Sequence, residues 1–61
     1  MQLKDLRESK VLSQEDLAKL SGLSPATISE IERGKRRPHF ITIRKLADAL
    51  EIDPELLVFL S

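Results

Sequence analysis

Apolar residues fall along this chain in short helical groups separated by polar start and stop signals. Leu3 and Leu6, with Leu12 beyond them, are set among charged residues, and the spacing predicts a short amphipathic helix over 2–9. Val11 and Leu12 follow as an apolar hinge. Ser13 opens a second helix, because its hydroxyl can cap free amides while Asp16, three residues on, reaches back to the Ser13 amide. Leu17, Ala18 and Leu20 give that helix a buried face, and Gly22, suited to a left-handed end, stops it. Ser24 and Pro25 repeat the start signal, with proline at the first helical position where its missing amide costs nothing. Ile28 and Ile31 point inward from this third helix, and Gly34 ends it. Beyond Pro38, the residues Phe40, Ile43, Leu46, Ala47 and Leu50 recur at helical spacing in a fourth helix starting at His39 or Phe40. Asp53 and Pro54 start a fifth, from Pro54 to about Leu60, almost wholly apolar after Glu55. The pattern is all-α.

A chain of 61 residues has room for one domain and buries only about 60% of its unfolded surface. It contains no cysteine and no cluster of zinc ligands, so stability rests on apolar packing, supplemented by association. With 41% hydrophobic and 33% charged residues, the chain has a globular balance rather than that of a disordered segment. No apolar run reaches the roughly 18 residues of a membrane span and no secretory signal is visible, so a cytoplasmic protein is expected. Net charge is zero, but its distribution is uneven. Arg33, Lys35, Arg36 and Arg37 crowd around Gly34, whereas Asp48, Glu51, Asp53 and Glu55 leave the last quarter acidic, so the chain reads as electrically two-ended.

The second and third helices, joined by a tight glycine-bearing turn, have the geometry that lays one helix in a DNA major groove while its partner crosses the backbone. A plain helical hairpin needs such a turn as well, so the surfaces must decide. Once Ile28 and Ile31 are assigned to the core, the third helix presents Ser24, Pro25, Ala26, Thr27, Ser29, Glu30 and Arg33, a small and mostly polar set able to approach base edges. Lys35, Arg36 and Arg37 follow at once, either as clamps on phosphate or as an ordinary solvated charge run.

The stretch LSQEDLAKLSGLSPATISEIERGKRRP, followed by TIRKLADALEIDPELL, resembles the Cro and phage-repressor-like helix-turn-helix family, also called the xenobiotic response element (XRE) family. The resemblance runs from about Leu3 to Leu57 and implies a compact five-helix, lambda-repressor-like DNA-binding domain. By position, Gln14 matches a residue touching phosphate or a base near the end of a half-site, and Ser24 matches a phosphate contact. Pro25, Ala26, Thr27 and Glu30 match base-facing positions, and Lys35 and Arg37 match backbone contacts of the loop. Arg7 and Glu32 match a partly buried ion pair. The pair also makes sense physically, since a glutamate between core residues is costly without a cation. The alternative is an Arg7 that reaches DNA.

Several positions depart from the family's pattern. Pro25, Ala26 and Thr27 lack the long amide side chains that read adenine, so specificity leans on thymine methyls and groove shape. Glu30 can accept from a cytosine amino group, repel phosphate, or turn toward Arg33. Glu51 stands where glycine is common, so the fourth helix is expected to end differently or run longer. His39 is read as a loop or helix-start residue, and Met1 as a cover on the core edge.

Leu56 and Leu57 suffice to close the core, which leaves Val58, Phe59 and Leu60 for a symmetric homodimer, extended by residues around Ile41 or Pro38. Two recognition helices would then stand roughly 34 Å apart on a near-palindromic operator. The expected function is a small transcriptional regulator of the repressor type. Antitoxin or controller proteins acting with a protein partner, and an interaction module that no longer binds DNA, are the alternatives. No Cys or His dyad, phosphate-cradling loop or metal cluster suggests an enzyme, cofactor or metal site.

Overall fold

The two central helices of this protein start on serine side-chain oxygens, and a left-handed residue follows each of its α-helices. A computed structural model describes residues 2–57, in which α1 spans Leu3–Ser9, α2 Gln14–Ser21, α3 Pro25–Glu32 and α4 Phe40–Leu50. Ser13 accepts the Asp16 N–H at 3.0 Å while Asp16 accepts the Ser13 N–H at 3.0 Å, a reciprocal capping box. Ser24 accepts the Thr27 N–H at 3.1 Å, with Pro25 as first residue of α3. His39 precedes α4 without a side-chain cap.

Four α-helices are present among the described residues, not five. The segment read as a fifth helix makes a single 3-10 turn, Pro54–Leu56. Asp53 caps it through the Glu55 N–H at 3.0 Å, after which the backbone turns extended at Leu57. Leu57 is buried in the core, and leaving the helix after one turn is what delivers it there. Val58, Phe59 and Leu60, assigned to that helix and to dimerisation, lie outside the described residues.

A residue with positive φ stands within two positions of the end of each of these four helices. Gly22 (φ 78°) ends α2, donating to the Ala18 carbonyl at 2.9 Å, and Gly34 (φ 75°) ends α3. The other two are not glycines: Val11 (φ 57°) follows α1 and Glu51 (φ 56°) follows α4. In each of those two, a pair of backbone bonds folds the chain back. Val11 and Leu12 donate to Glu8 and Arg7, and Glu51 and Ile52 to Asp48 and Ala47. Glu51 itself takes the left-handed conformation that suits glycine, and so places a β-carbon where glycine would sit freely.

Leu3, Leu6, Leu17, Ala18, Ile28, Ile31, Leu46, Ala47, Leu50 and Leu57 form the core, with Leu12, Leu23, Ile43, Ala49 and Ile52 half-covering it. Helix α2 packs against both α3 and α4, α1 against α3, and the 3-10 turn against α4. Three apolar residues assigned to the interior face water instead. Leu20 is 59% exposed because α2 buries Leu17, Ala18 and Ser21, one side from which Leu20 is rotated away. Phe40, the first residue of α4, is 90% exposed, and Leu56 is exposed while its neighbour goes inward. No helix among the described residues is long and apolar enough to cross a membrane.

Candidate nucleic-acid interface

Between α2 and α3 lie only Gly22, Leu23 and Ser24. Leu23 tucks against the core and donates its N–H to Ser21 Oγ at 3.3 Å, so the turn is anchored from inside. Helix α3 is eight residues, about 12 Å, long, and a helix about 10–12 Å across its side chains is what a major groove about 12 Å wide admits. Its outward surface carries Ser24, Pro25, Ala26 and Arg33 exposed, with Thr27, Ser29 and Glu30 partly so. Ser24 and Thr27 are joined hydroxyl to hydroxyl at 2.8 Å. With its hydroxyl engaged, Thr27 offers its methyl beside that of Ala26, a surface suited to thymine methyl groups.

Gln14 begins α2 half-buried. Its Nε2 donates to Glu32 Oε1 at 3.0 Å, which uses one of the two amide hydrogens and leaves the second for an acceptor such as phosphate. Glu32 also takes a two-pronged bond from Arg7, Nε to Oε2 at 2.7 Å and Nη2 to Oε1 at 3.0 Å. The third nitrogen of Arg7 donates to the Leu12 carbonyl at 2.7 Å. One guanidinium thus ties α1 to the end of α3 and to the entrance of α2. Burial pushes the Glu32 carboxyl up, but the bonds from Arg7 and Gln14 outweigh it and hold the group below its usual range. The same bond raises Arg7 further above its already high value, against the opposing effect of burial. Asp16 is held below the usual carboxylate range, chiefly by the Ser13 backbone N–H.

Arg33, Lys35, Arg36 and Arg37 are all exposed beside α3. Gly34 and Lys35 donate to the Ile31 and Glu30 carbonyls at 3.1 and 2.8 Å, a turn that folds the loop back over the helix end. This brings Arg36 Nη2 to 3.0 Å from Glu30 Oε1. Glu30 is therefore paired with Arg36 and not with Arg33: the reversal at Gly34 carries Arg36 over Glu30, which spacing along a straight helix does not suggest. Exposed pairs of this kind contribute about 0–1 kcal/mol. Pro54 lines a hollow with Phe40, Ile41, Ile43 and Arg44, so Asp53 and Glu55 on either side of it are carried back along α4. Among the described residues no group of His, Cys, Asp and Glu is arranged to hold a metal ion.

A two-helix unit with a capped, outward-facing second helix defines the helix-turn-helix class. Residues 3–57 match the family described as helix-turn-helix, and the chain belongs to it, within the Cro-like, XRE-type branch. The HTH-type transcriptional repressor RghR of Bacillus subtilis is 51% identical over 59 residues, which are 95% of this chain and 44% of that protein. The crystal structure of the restriction-modification controller protein C.AhdI from Aeromonas hydrophila superposes with a TM-score of 0.89 at 48% identity, covering 92% of this chain and 85% of that one. A mutant of the controller protein C.Esp1396I gives 0.83 at 33%, covering 88% and 70%. This chain spans less than half the length of RghR.

Proposed function

We propose that this chain binds double-stranded DNA sequence-specifically as a small transcriptional regulator of the repressor type, working in the cytoplasm with α3 in the major groove. The observation that carries the reading is α3 itself: serine-capped, small-faced, and flanked by four exposed cations in a chain whose net charge is zero. Pro25, Ala26, Thr27 and Glu30 would face bases, with Ser24, Ser29, Gln14 and the loop cations on the backbone. Arg7 and Glu32 act as architecture, holding α1 and α2 against the recognition helix. A second copy would complete the reader, because three or four small side chains cover too few bases to select a site alone. The operator would then be near-palindromic.

A controller role of the kind named for C.AhdI is a second reading, favoured by the 48% identity over most of both chains. Both readings predict the same primary result. Selection from a randomised duplex pool, repeated at two salt concentrations, should enrich a palindrome bound with salt-sensitive affinity. Weak binding without enrichment, lost near physiological salt, would instead point to an interaction module that has left DNA behind.

A further inference from the structure

Glu30 holds the basic loop twice. Its carbonyl accepts the Lys35 N–H at 2.8 Å, and its carboxylate accepts from Arg36 Nη2 at 3.0 Å. The carboxylate lies on the face of α3 that carries Ala26 and Thr27, and it withdraws one of four cations from any phosphate nearby. Among the described residues Arg33, Lys35 and Arg37 make no ion pair, so Arg36 is singled out by the fold. Both partners are about half exposed, so the bond is weak enough to exchange. An exchange partner for the carboxylate exists among the bases: the cytosine amino group is a donor displayed in the major groove, and glutamate accepts from it. A free Arg36, standing one residue beyond the Lys35 cap, is then available to a phosphate.

We propose that Glu30 and Arg36 form an exchangeable latch that couples base reading to backbone binding. It rests on the DNA-binding reading above and adds a device for specificity. On unrelated DNA the latch stays closed: Glu30 repels phosphate and Arg36 is withheld. Where a half-site presents cytosine to Glu30, the carboxylate changes partner and Arg36 adds a phosphate contact. Glu30 thus selects its site chiefly by depressing binding elsewhere, which suits a recognition face otherwise made of methyl groups.

Salt-dependent binding of wild type, Glu30→Gln, Arg36→Gln and the double variant, on the selected operator and on an unrelated duplex, tests this. Each phosphate contact steepens the plot of log affinity against log salt by about 0.9. The wild type should therefore be steeper on the operator than on unrelated DNA by about 0.9 per bound copy. Glu30→Gln should steepen binding to unrelated DNA by that amount and tighten it about five- to tenfold per copy near 0.1 M salt, eroding discrimination. Arg36→Gln should weaken the operator far more than unrelated DNA, where it removes no phosphate contact and only uncovers the Glu30 carboxylate, and the double variant should lose the gain of Glu30→Gln. A gain that persists in the double variant reduces Glu30 to simple repulsion and overturns the latch. Equal losses on both duplexes from Arg36→Gln overturn it as well. If wild type binds no duplex, the DNA-binding reading falls and takes the latch with it; if it binds with equal slopes on both, only the latch falls.

Discussion

Val11 holds a left-handed backbone at φ 57° while its side chain, 89% exposed, packs against almost nothing. For an L-residue that conformation costs about 1–2 kcal/mol, and a β-branched side chain stands at the unfavourable end. Glu51 bears the same strain at φ 56°, also exposed. Glycine at either position relieves the strain but adds back unfolded-chain entropy, on the order of 0.5–1 kcal/mol. Val11→Gly should therefore stabilise the protein by about 1 kcal/mol, and Glu51→Gly by about half that to the same amount. In a chain this size 1 kcal/mol moves Tm by about 4–8 °C, so thermal melts decide the matter, and unchanged or lower values would refute the strain. These two residues also mark a limit of sequence reading. Gly22 and Gly34 announce their helix ends because glycine is the residue that costs least there, whereas Val11 carries no such mark and Glu51 is marked only by the resemblance, as a position where glycine is common. Their helices end at those points because Leu12 and Ile52 must turn back to cover the core.

The tie between α1 and α3 takes two charges largely out of water, and it is fully paired: Glu32 receives three donors and Arg7 uses all three nitrogens. The fold holds Glu32 below the ordinary glutamate range, because the bonds from Arg7 and Gln14 outweigh its burial. The unfolded chain thus takes up the proton first on acidification. The contribution of the pair is complete above that ordinary range and is lost as pH falls through the lower folded value. Asp16 acts in the same direction at the start of α2. Wild-type Tm should accordingly drop between about pH 5 and pH 2. Glu32→Gln, leaving Arg7 without a counter-charge, should cost about 3 kcal/mol at pH 7 and flatten the acid limb. Acid limbs of equal steepness in the two proteins would mean that other carboxylates govern acid unfolding. The family resemblance was enough to put Arg7 opposite Glu32. It did not extend to Gln14 on the same carboxylate, to the Leu12 carbonyl on the third nitrogen, or to Arg36 over Glu30. Each depends on where a turn returns the chain in space, and residue spacing along one helix holds no record of that.

At the scale of the whole molecule, 25 × 23 × 19 Å, the unresolved demand is apolar surface. Phe40 is 90% and Ile41 67% exposed, side by side at the start of α4, where they border the hollow lined by Ile43, Arg44 and Pro54. In a two-fold dimer through this face, each burial of such a side chain contributes about 2 kcal/mol. Two from each copy give a gross gain on the order of 8 kcal/mol, which lost translational and rotational freedom largely offsets. The free protein should then associate only weakly, near the high micromolar range, and DNA should complete the dimer by holding two copies together. Phe40→Glu tests this without touching the interior: the residue is exposed, and a carboxylate is favourable at the first position of a helix. Sedimentation should find the variant monomeric where the parent self-associates. Its affinity for a full operator should fall about a hundredfold while binding to an isolated half-site stays unchanged. A parent that remains monomeric at high micromolar concentration and binds the operator without cooperativity would remove the dimer altogether. A variant that still associates would move the interface off Phe40 and toward the segment that follows Leu57.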